Sequence, residues 1–257
     1  RLAHSVPKYY TVGISALRDE ASPDAVREEE GIDLWLHPAS MVDISGRSTY
    51  NSLSDGWMEH SYTASFTPTD ALRFSASLQN VHYDDYFYHV TTSALSLTNG
   101  IILPGEEMWN AGGSIGYNAT KSIAVTGQYN RYEYDIAGNA DYYGVTGSFG
   151  TGGLAAGASF HRMDGSTSRL RYNQYRVWAA RKFGPVDVAL DFFDVDFDRS
   201  INGRENTFSL AGAAGYDLTP NLRVAADLDY IRSADFDNEL RGLVKVTYAF
   251  GIGKEGK

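Results

Sequence analysis

Residues 216–230, YDLTPNLRVAADLDY, decide the fold. In the second half of this stretch apolar and charged residues alternate, so that Val224 and Leu228 share one face and Asp227 lies on the other. A period of two is typical of a β-strand with one apolar face. The polar residues before the alternation include Pro220, which favours a turn. The stretch therefore predicts a turn that leads into a strand.

The turn in this stretch belongs to a pattern that occurs three times. Its order is an aromatic residue, two residues, Thr, two residues, and then Leu or Ile, at 66–72, 117–123 and 216–222. Each copy lies between two alternating runs, as a tight hairpin requires. The pattern indicates a chain built from consecutive hairpins.

Alternating runs extend outward from these turns along the whole chain. We predict 14 strands of about ten residues, at 9–18, 30–37, 41–50, 57–66, 71–83, 107–118, 122–135, 141–150, 154–163, 171–183, 185–197, 205–217, 221–232 and 239–250. Short turns alternate with longer polar connections, at 19–29, 51–56, 84–106, 136–140, 164–170, 198–204 and 233–238. This asymmetry is typical of outer-membrane barrels, which have short periplasmic turns and longer outside loops. An even count places both termini in the periplasm, and we expect residues 1–257 to form one domain.

Composition limits the possible functions. The net charge of −10 argues against a nucleic-acid partner, because phosphate binding needs a basic face. The absence of Cys excludes disulfides and thiolate metal sites. No apolar run approaches the roughly 18 residues of a membrane-spanning helix. The chain starts at Arg1 without a charged and apolar leader, so we expect a mature or trimmed form.

Aromatic residues are sorted to both ends of the apolar stripes. At one predicted rim the outward residues are Tyr10, Phe66, Tyr117, Phe149, Phe183, Tyr216 and Phe250. At the other they are Tyr50, Trp109, Tyr129, Tyr143, Phe160, Tyr175, Phe192, Phe208 and Tyr230. Two aromatic belts around an aliphatic band match a bilayer, where amphipathic rings favour the interface. The sequence thus predicts an all-β, antiparallel, up-and-down transmembrane β-barrel.

The closing run from Val244 to Phe250, VKVTYAF, resembles the C-terminal signal strand of Gram-negative outer-membrane barrels. It shares the alternating apolar residues and the aromatic near the end, but Gly251 to Lys257 follow here. The resemblance implies export to the outer membrane of a Gram-negative bacterium and contact with its lipid and lipopolysaccharide.

The inward face carries charges of both signs. We predict that it is lined by Asp33, Asp43, Arg47, Glu59, Arg73, Arg176, Lys182, Asp187, Asp191, Arg223, Asp227, Asp229, Arg241 and Lys245. Seven acidic and seven basic residues predict weak charge selectivity, because opposing fields cancel. Many inward neighbours are Gly, Ser or Ala, which leaves room for water. We therefore predict a narrow pore for passive diffusion of small polar solutes. The alternative is that paired charges plug the lumen.

The excess negative charge falls in the predicted outer loops, chiefly 19–29 and 84–106. Such loops could hold divalent cations that bridge lipopolysaccharide or attract cationic solutes, although a solvated surface is the plainer interpretation. Loop 84–106 is the longest, and long loops are often functional, for example as a constriction folded into a pore.

Catalysis has two weak candidates. The segment 82–89, HYDDYFYH, combines His with carboxylates as the outer-membrane omptin proteases do, and it could also hold a divalent metal. His161 follows Ser159 on the inner face, but no oxyanion partner can be assigned and no lipase motif is present. We predict no catalytic residues, no metal site and no cofactor; a hydrolase remains an alternative.

A scaffold role is the other alternative. The segment 55–62, DGWMEHSY, loosely resembles porin–cytochrome conduit barrels, which sheath a multi-haem cytochrome. Those barrels usually have more strands, so 14 would form a tight sleeve around such a partner.

Overall fold

The computed structural model of the protein describes residues 1–21, 24–86, 105–236 and 238–250. Fifteen strands form almost all of it: β1 Leu2–Val6, β2 Tyr10–Ala21, β3 Asp24–Ala39, β4 Val42–Asn51, β5 Gly56–Thr69, β6 Leu72–His82, β7 Glu107–Asn118, β8 Ile123–Tyr134, β9 Gly138–Thr151, β10 Leu154–Gly165, β11 Arg171–Phe183, β12 Val186–Ile201, β13 Arg204–Thr219, β14 Leu222–Arg232 and β15 Glu239–Tyr248. A four-residue helix, α1 (Tyr83–Tyr86), follows β6, and a short 3₁₀ turn, Ser168–Leu170, precedes β11.

The strands follow one another in a single antiparallel sheet, in the order of the chain from β1 to β15. Within the residues that the structure describes, no register joins β1 to β15. The predicted all-β, up-and-down architecture is confirmed. The 14 predicted strands correspond to β2–β15, and two of them, 107–118 and 171–183, have the predicted bounds.

The prediction missed β1. Its five residues, LAHSV, pair with Tyr10–Ile14 of β2 through a turn at 7–9. The segment is too short to show a clear period of two, so only the pairing reveals it. The prediction that both termini lie on one side rested on an even number of strands. With fifteen strands that argument no longer holds.

Two predicted loops were wrong because strands continue through them. Residues 19–21 and 24–29 extend the β2–β3 hairpin instead of forming a loop. The predicted loop 198–204 is reduced to a tight turn at Asn202 and Gly203, whose φ angles are +51° and +80°. An Asn-Gly pair with positive φ forms the two-residue turn that suits hairpin twist.

Two of the three copies of the turn motif close their hairpins through the threonine. The Thr219 hydroxyl accepts hydrogen bonds from the amides of Asn221 (3.3 Å) and Leu222 (3.0 Å). Thr120 accepts the same pair of bonds in the second copy, at 3.1 and 3.0 Å. A side-chain oxygen that satisfies two turn amides is a common device in short turns.

The apolar band predicted for the bilayer is exposed, as a lipid-facing surface requires. Leu228 and Leu190 are 54% and 55% exposed, and both lie on the outward face. Outward aromatics contact each other across strands at the rims: Phe160 lies 5.3 Å from Tyr175, and Phe208 lies 5.8 Å from Tyr230, measured between ring centroids. No helix of the described residues is long and apolar enough to cross a membrane.

Candidate functional site: the polar face of the wall

Register decides which side chains share a face, because residues opposite each other in an antiparallel ladder point the same way. Successive registers connect all 14 predicted lining residues to one face. The following row, for example, crosses six strands: Gly157, Trp178, Asp191, Ala211, Asp229 and Arg241. The sheet therefore has one polar face and one apolar face over its full width.

Near the first strands, the charges of this face occur in pairs. Arg47 donates to Glu59 at 2.6 Å, and Gln79 donates to the other carboxylate oxygen at 3.2 Å. Glu59 is only 5% exposed, and these two donors satisfy its carboxylate oxygens. Asp33 binds the Arg1 guanidinium.

A denser network lies beside the predicted periplasmic turns. The Arg223 guanidinium contacts Asp187 at 2.6 Å and Asp217 at 2.9 Å. Lys182 adds a longer contact to Asp217, at 3.6 Å. Near the other edge of the sheet, on the same polar face and at the same height, Asp43 lies 2.8 Å from His37 Nδ1.

Farther along the same face, two more arginines each bind a carboxylate. Arg176 donates to Asp191 at 3.0 Å, and its guanidinium lies 5.3 Å from the centre of the Trp178 ring. Arg241 is held by Glu239 through two bonds of 2.7 and 2.6 Å. These pairs keep the arginines from acting as free cations.

Four predicted lining residues have no ion pair within 4 Å with any residue that the structure describes: Arg73, Asp227, Asp229 and Lys245. Oδ1 of Asp229 is also buried without a hydrogen-bond partner. These charges are the ones available to a solute.

The predicted lining set omits several charged or titratable members of this face. They are Arg1, His37, Asp217 and Glu239. Asp217 and His37 are the last residues of the predicted strands 205–217 and 30–37, and Glu239 is the first residue of 239–250, so the period of two already placed all three on the inward face. Arg1 lies outside every predicted strand and is recognised only from its partner Asp33.

Aromatic rings occupy the outer end of the polar face, which the sequence reasoning also missed. Tyr132, Tyr134, Tyr142 and Tyr172 pack around a small apolar cluster of Ala140, Met163 and Leu170. Leu170, on the 3₁₀ turn, is fully buried there. These rings reduce the open cross-section at that end.

His161, one of the two catalytic candidates, has no group to orient it. Its ring stacks on Tyr142 at 5.1 Å, and neither ring nitrogen has a hydrogen-bond partner. It lies across Gly144, where a Cβ would meet the imidazole. This environment is typical of a packed ring.

The other candidate segment is divided between several structural contacts. His82 Nε2 lies 3.3 Å from Glu107. Asp84 accepts a bond from the amide of Gly105 at 2.7 Å, and the carbonyl of Asp85 accepts one from Asn51 at 2.9 Å. Residues 87–89 of this segment, and most of the predicted loop 84–106, lie outside the described residues. In the described part of the chain, no three His, Cys, Asp or Glu residues are placed to share a metal ion.

Charged residues of the apolar face lie near its two ends, and at the outer end several of them pair with each other. Arg131 donates to Asp141 at 2.8 Å, and Arg162 donates to Asp198 at 2.5 Å. Long polar side chains at the end of a membrane strand reach the headgroup layer. This arrangement suits the lipid and lipopolysaccharide of an outer membrane.

A meandering antiparallel sheet with an aromatic-bordered apolar face and a charged opposite face defines an outer-membrane β-barrel. Comparison with known proteins agrees. The sequence profile described as Gram-negative porin matches residues 105–235, just over half of the chain. The chain belongs to the Gram-negative porin family, and it lies in the outer membrane of Gram-negative bacteria.

Solved structures show the same fold at low sequence identity. Pseudomonas aeruginosa OccK5 (OpdH) aligns with a TM-score of 0.62 at 11% identity, over 95% of this chain and 78% of that one. Pseudomonas aeruginosa OpdL aligns with a TM-score of 0.58 at 11% identity, over 99% of this chain and 80% of that one. No curated protein sequence matches the chain.

Proposed function

We propose that this porin is a narrow channel with a charge-balanced wall, through which small polar solutes diffuse passively. The observation that carries the proposal is the pairing of opposite charges along one continuous polar face. Arg47 with Glu59, Arg176 with Asp191 and Arg223 with Asp187 are its clearest members. Neutralised pairs leave a hydrated wall without a strong field of either sign.

The number of strands supports a channel of limited width. Barrels of about 8 strands are filled by their own side chains, whereas 16 to 18 leave an aqueous channel. Fifteen strands fall just below that range, and the tyrosines at the outer end narrow the passage further. The 14 residues predicted from the sequence are proposed to line this channel.

The remaining parts of the proposal follow from the same assignment. Residues 1–257 form one barrel domain. Its last strand, β15, ends on the periplasmic side, whereas the antiparallel pairing of β1 with β2 turns the N-terminus back toward the middle of the sheet. Transport needs no cofactor and no catalytic residue, and the environment of His161 gives no support to a hydrolase. The partners are the surrounding lipid and lipopolysaccharide and the solutes that pass. No described feature favours a sheathed cytochrome.

Recording from purified protein in a planar bilayer tests the proposal. We expect discrete conductance steps and, under a KCl gradient, a reversal potential close to zero. Steps that are absent from protein shown to be folded would overturn the channel. A reversal potential near the Nernst value for either ion would overturn the balanced wall. Haem-stained protein that copurifies would favour the scaffold instead.

A further inference from the structure

A cavity of about 260 Å³ lies in the polar face between β11 and β14. On each of these four strands, two polar-face residues and the residue between them line it. Its floor is built from small side chains: Ala180, Ala189, Ala211 and Ala213. These four alanines lie on β11, β12 and β13, and they leave a depression because the side chains around them are longer. The floor is apolar, although it belongs to the hydrated face.

One end of the cavity is formed by Trp178. Its indole lies across Gly157 on β10, where a Cβ would overlap the ring. The Arg176 guanidinium already lies 5.3 Å from the ring centre and binds Asp191. Trp178 therefore offers an apolar wall, because its cation–π position is already occupied by Arg176.

The other end carries two carboxylates on β14, Asp227 and Asp229. Asp227 has no ion pair with any described residue. The cross-strand partner of Asp229 is Arg241, which binds Glu239 with both of its bonds. Oδ1 of Asp229 is buried without a partner. Arg241 therefore acts on Asp229 only through its longer-range field, without a hydrogen bond. This end has one carboxylate without an ion pair and one acceptor without a donor, which is costly unless a ligand supplies one.

We propose that this cavity binds a small organic cation, namely a primary ammonium ion with a compact apolar body. The ammonium group donates to Asp227 and Asp229, and the apolar body covers the alanine floor and contacts Trp178. Three strand spacings of about 4.8 Å separate β11 from β14, and the carboxylates of β14 extend over the alanine floor from one end. An arylalkylammonium ion such as phenethylammonium has the required length and charge.

The same arrangement excludes other solutes of similar size. An anion would face the two carboxylates, whereas the nearby Arg176 and Arg241 are already bound to Asp191 and Glu239. A small ammonium ion without a ring would leave the alanine floor and Trp178 uncovered. The proposal rests on the proposed channel, since the cavity opens into its lumen, and it specifies a solute class that the balanced wall alone does not.

Calorimetric titration of the folded, detergent-solubilised protein tests the proposal directly. The ligands are phenethylammonium chloride, sodium phenylacetate as the anion of matched shape, and ethylammonium chloride as the cation without a ring. We expect binding of phenethylammonium only. In the D227N/D229N variant we expect affinity to fall about tenfold or more, as the loss of a charged contact predicts.

The variant D43N is the matched control, because Asp43 lies on the same face but outside the cavity and pairs with His37. Its affinity should equal that of the parent protein. D227N alone is a second variant, because Asp227 has no partner to lose, and heat-modifiable migration on a gel verifies folding. Equal binding of phenylacetate or ethylammonium, or unchanged affinity in D227N/D229N, would overturn the inference.

Conductance of the same preparation separates this inference from the proposed function. A conducting channel that does not bind phenethylammonium overturns the cavity assignment and leaves the channel intact. Binding without conductance supports the cavity and overturns the channel. In a conducting protein, phenethylammonium should also produce brief current blocks that D227N/D229N abolishes.

Discussion

The indole of Trp178 lies across the backbone of Gly157, its register partner on the neighbouring strand. A Cβ at position 157 would overlap the ring atoms Cζ2 and Cη2, whereas Gly leaves the space for them. The ring is thereby held against the wall instead of extending across the lumen. This pair fixes one end of the proposed cavity.

Gly157→Ala should therefore displace the Trp178 ring and destabilise the barrel by about 1–3 kcal/mol, the usual cost of overpacking. Acrylamide quenching reports the ring in a protein whose other three tryptophans are replaced by Phe. Gly147→Ala is the control, because no atom lies within 4 Å of its Cβ position. Equal quenching and stability in the two variants would contradict the contact.

Opposite shifts in selectivity are expected from the two halves of the Arg47–Glu59 pair. Arg47→Gln leaves the carboxylate uncompensated and should raise the cation-to-anion permeability ratio about twofold, whereas Glu59→Gln should lower it by a similar factor. Reversal potentials in a KCl gradient measure both. Arg131→Gln, on the apolar face, should leave the ratio unchanged. Shifts of the same sign in both variants would refute the assignment of the pair to the lumen wall.

Two leucines at one level of the sheet test which face meets the lipid. Leu228 belongs to the apolar face, and Leu243, the register partner of Asp227, belongs to the polar face. Leu228→Arg should cost about 2–4 kcal/mol, as expected for a cation in the hydrocarbon layer. Leu243→Arg should cost close to nothing. The free energy of unfolding in lipid vesicles compares them, and equal costs would contradict the sidedness.

Glu106 should stabilise the β8–β9 hairpin, although it lies about 30 residues earlier in the sequence. It is 1% exposed and accepts bonds from the amides of Ile136 (2.8 Å) and Ala137 (3.2 Å). Glu106→Ala should lower the free energy of unfolding by about 1–3 kcal/mol, because both amides lose their acceptor. Chemical denaturation measures the change. Glu133→Ala, a more exposed residue of the same hairpin, should cost much less, and a comparable loss there would argue against a specific role.

The hydrophobic periodicity of the sequence predicted most of the fold. In a membrane barrel each strand has one face toward lipid and one toward water, so every strand shows the period of two by itself. The runs at 107–118 and 171–183 matched the structure for this reason. The same logic assigned Arg47, Asp191 and Arg223 to one face. β1, whose apolar and polar residues do not alternate clearly, was invisible to it.

The periodicity determined the side to which each side chain points, but not which side chains meet. Glu239 rather than Asp229 holds Arg241, and Asp217 shares Arg223 with Asp187. The depression above four alanines exists only because adjacent strands place them in two neighbouring rows. Alternation is a local property of one strand, and it is written in the sequence. Partners and cavities depend on the register between strands, which is fixed only when the whole sheet assembles.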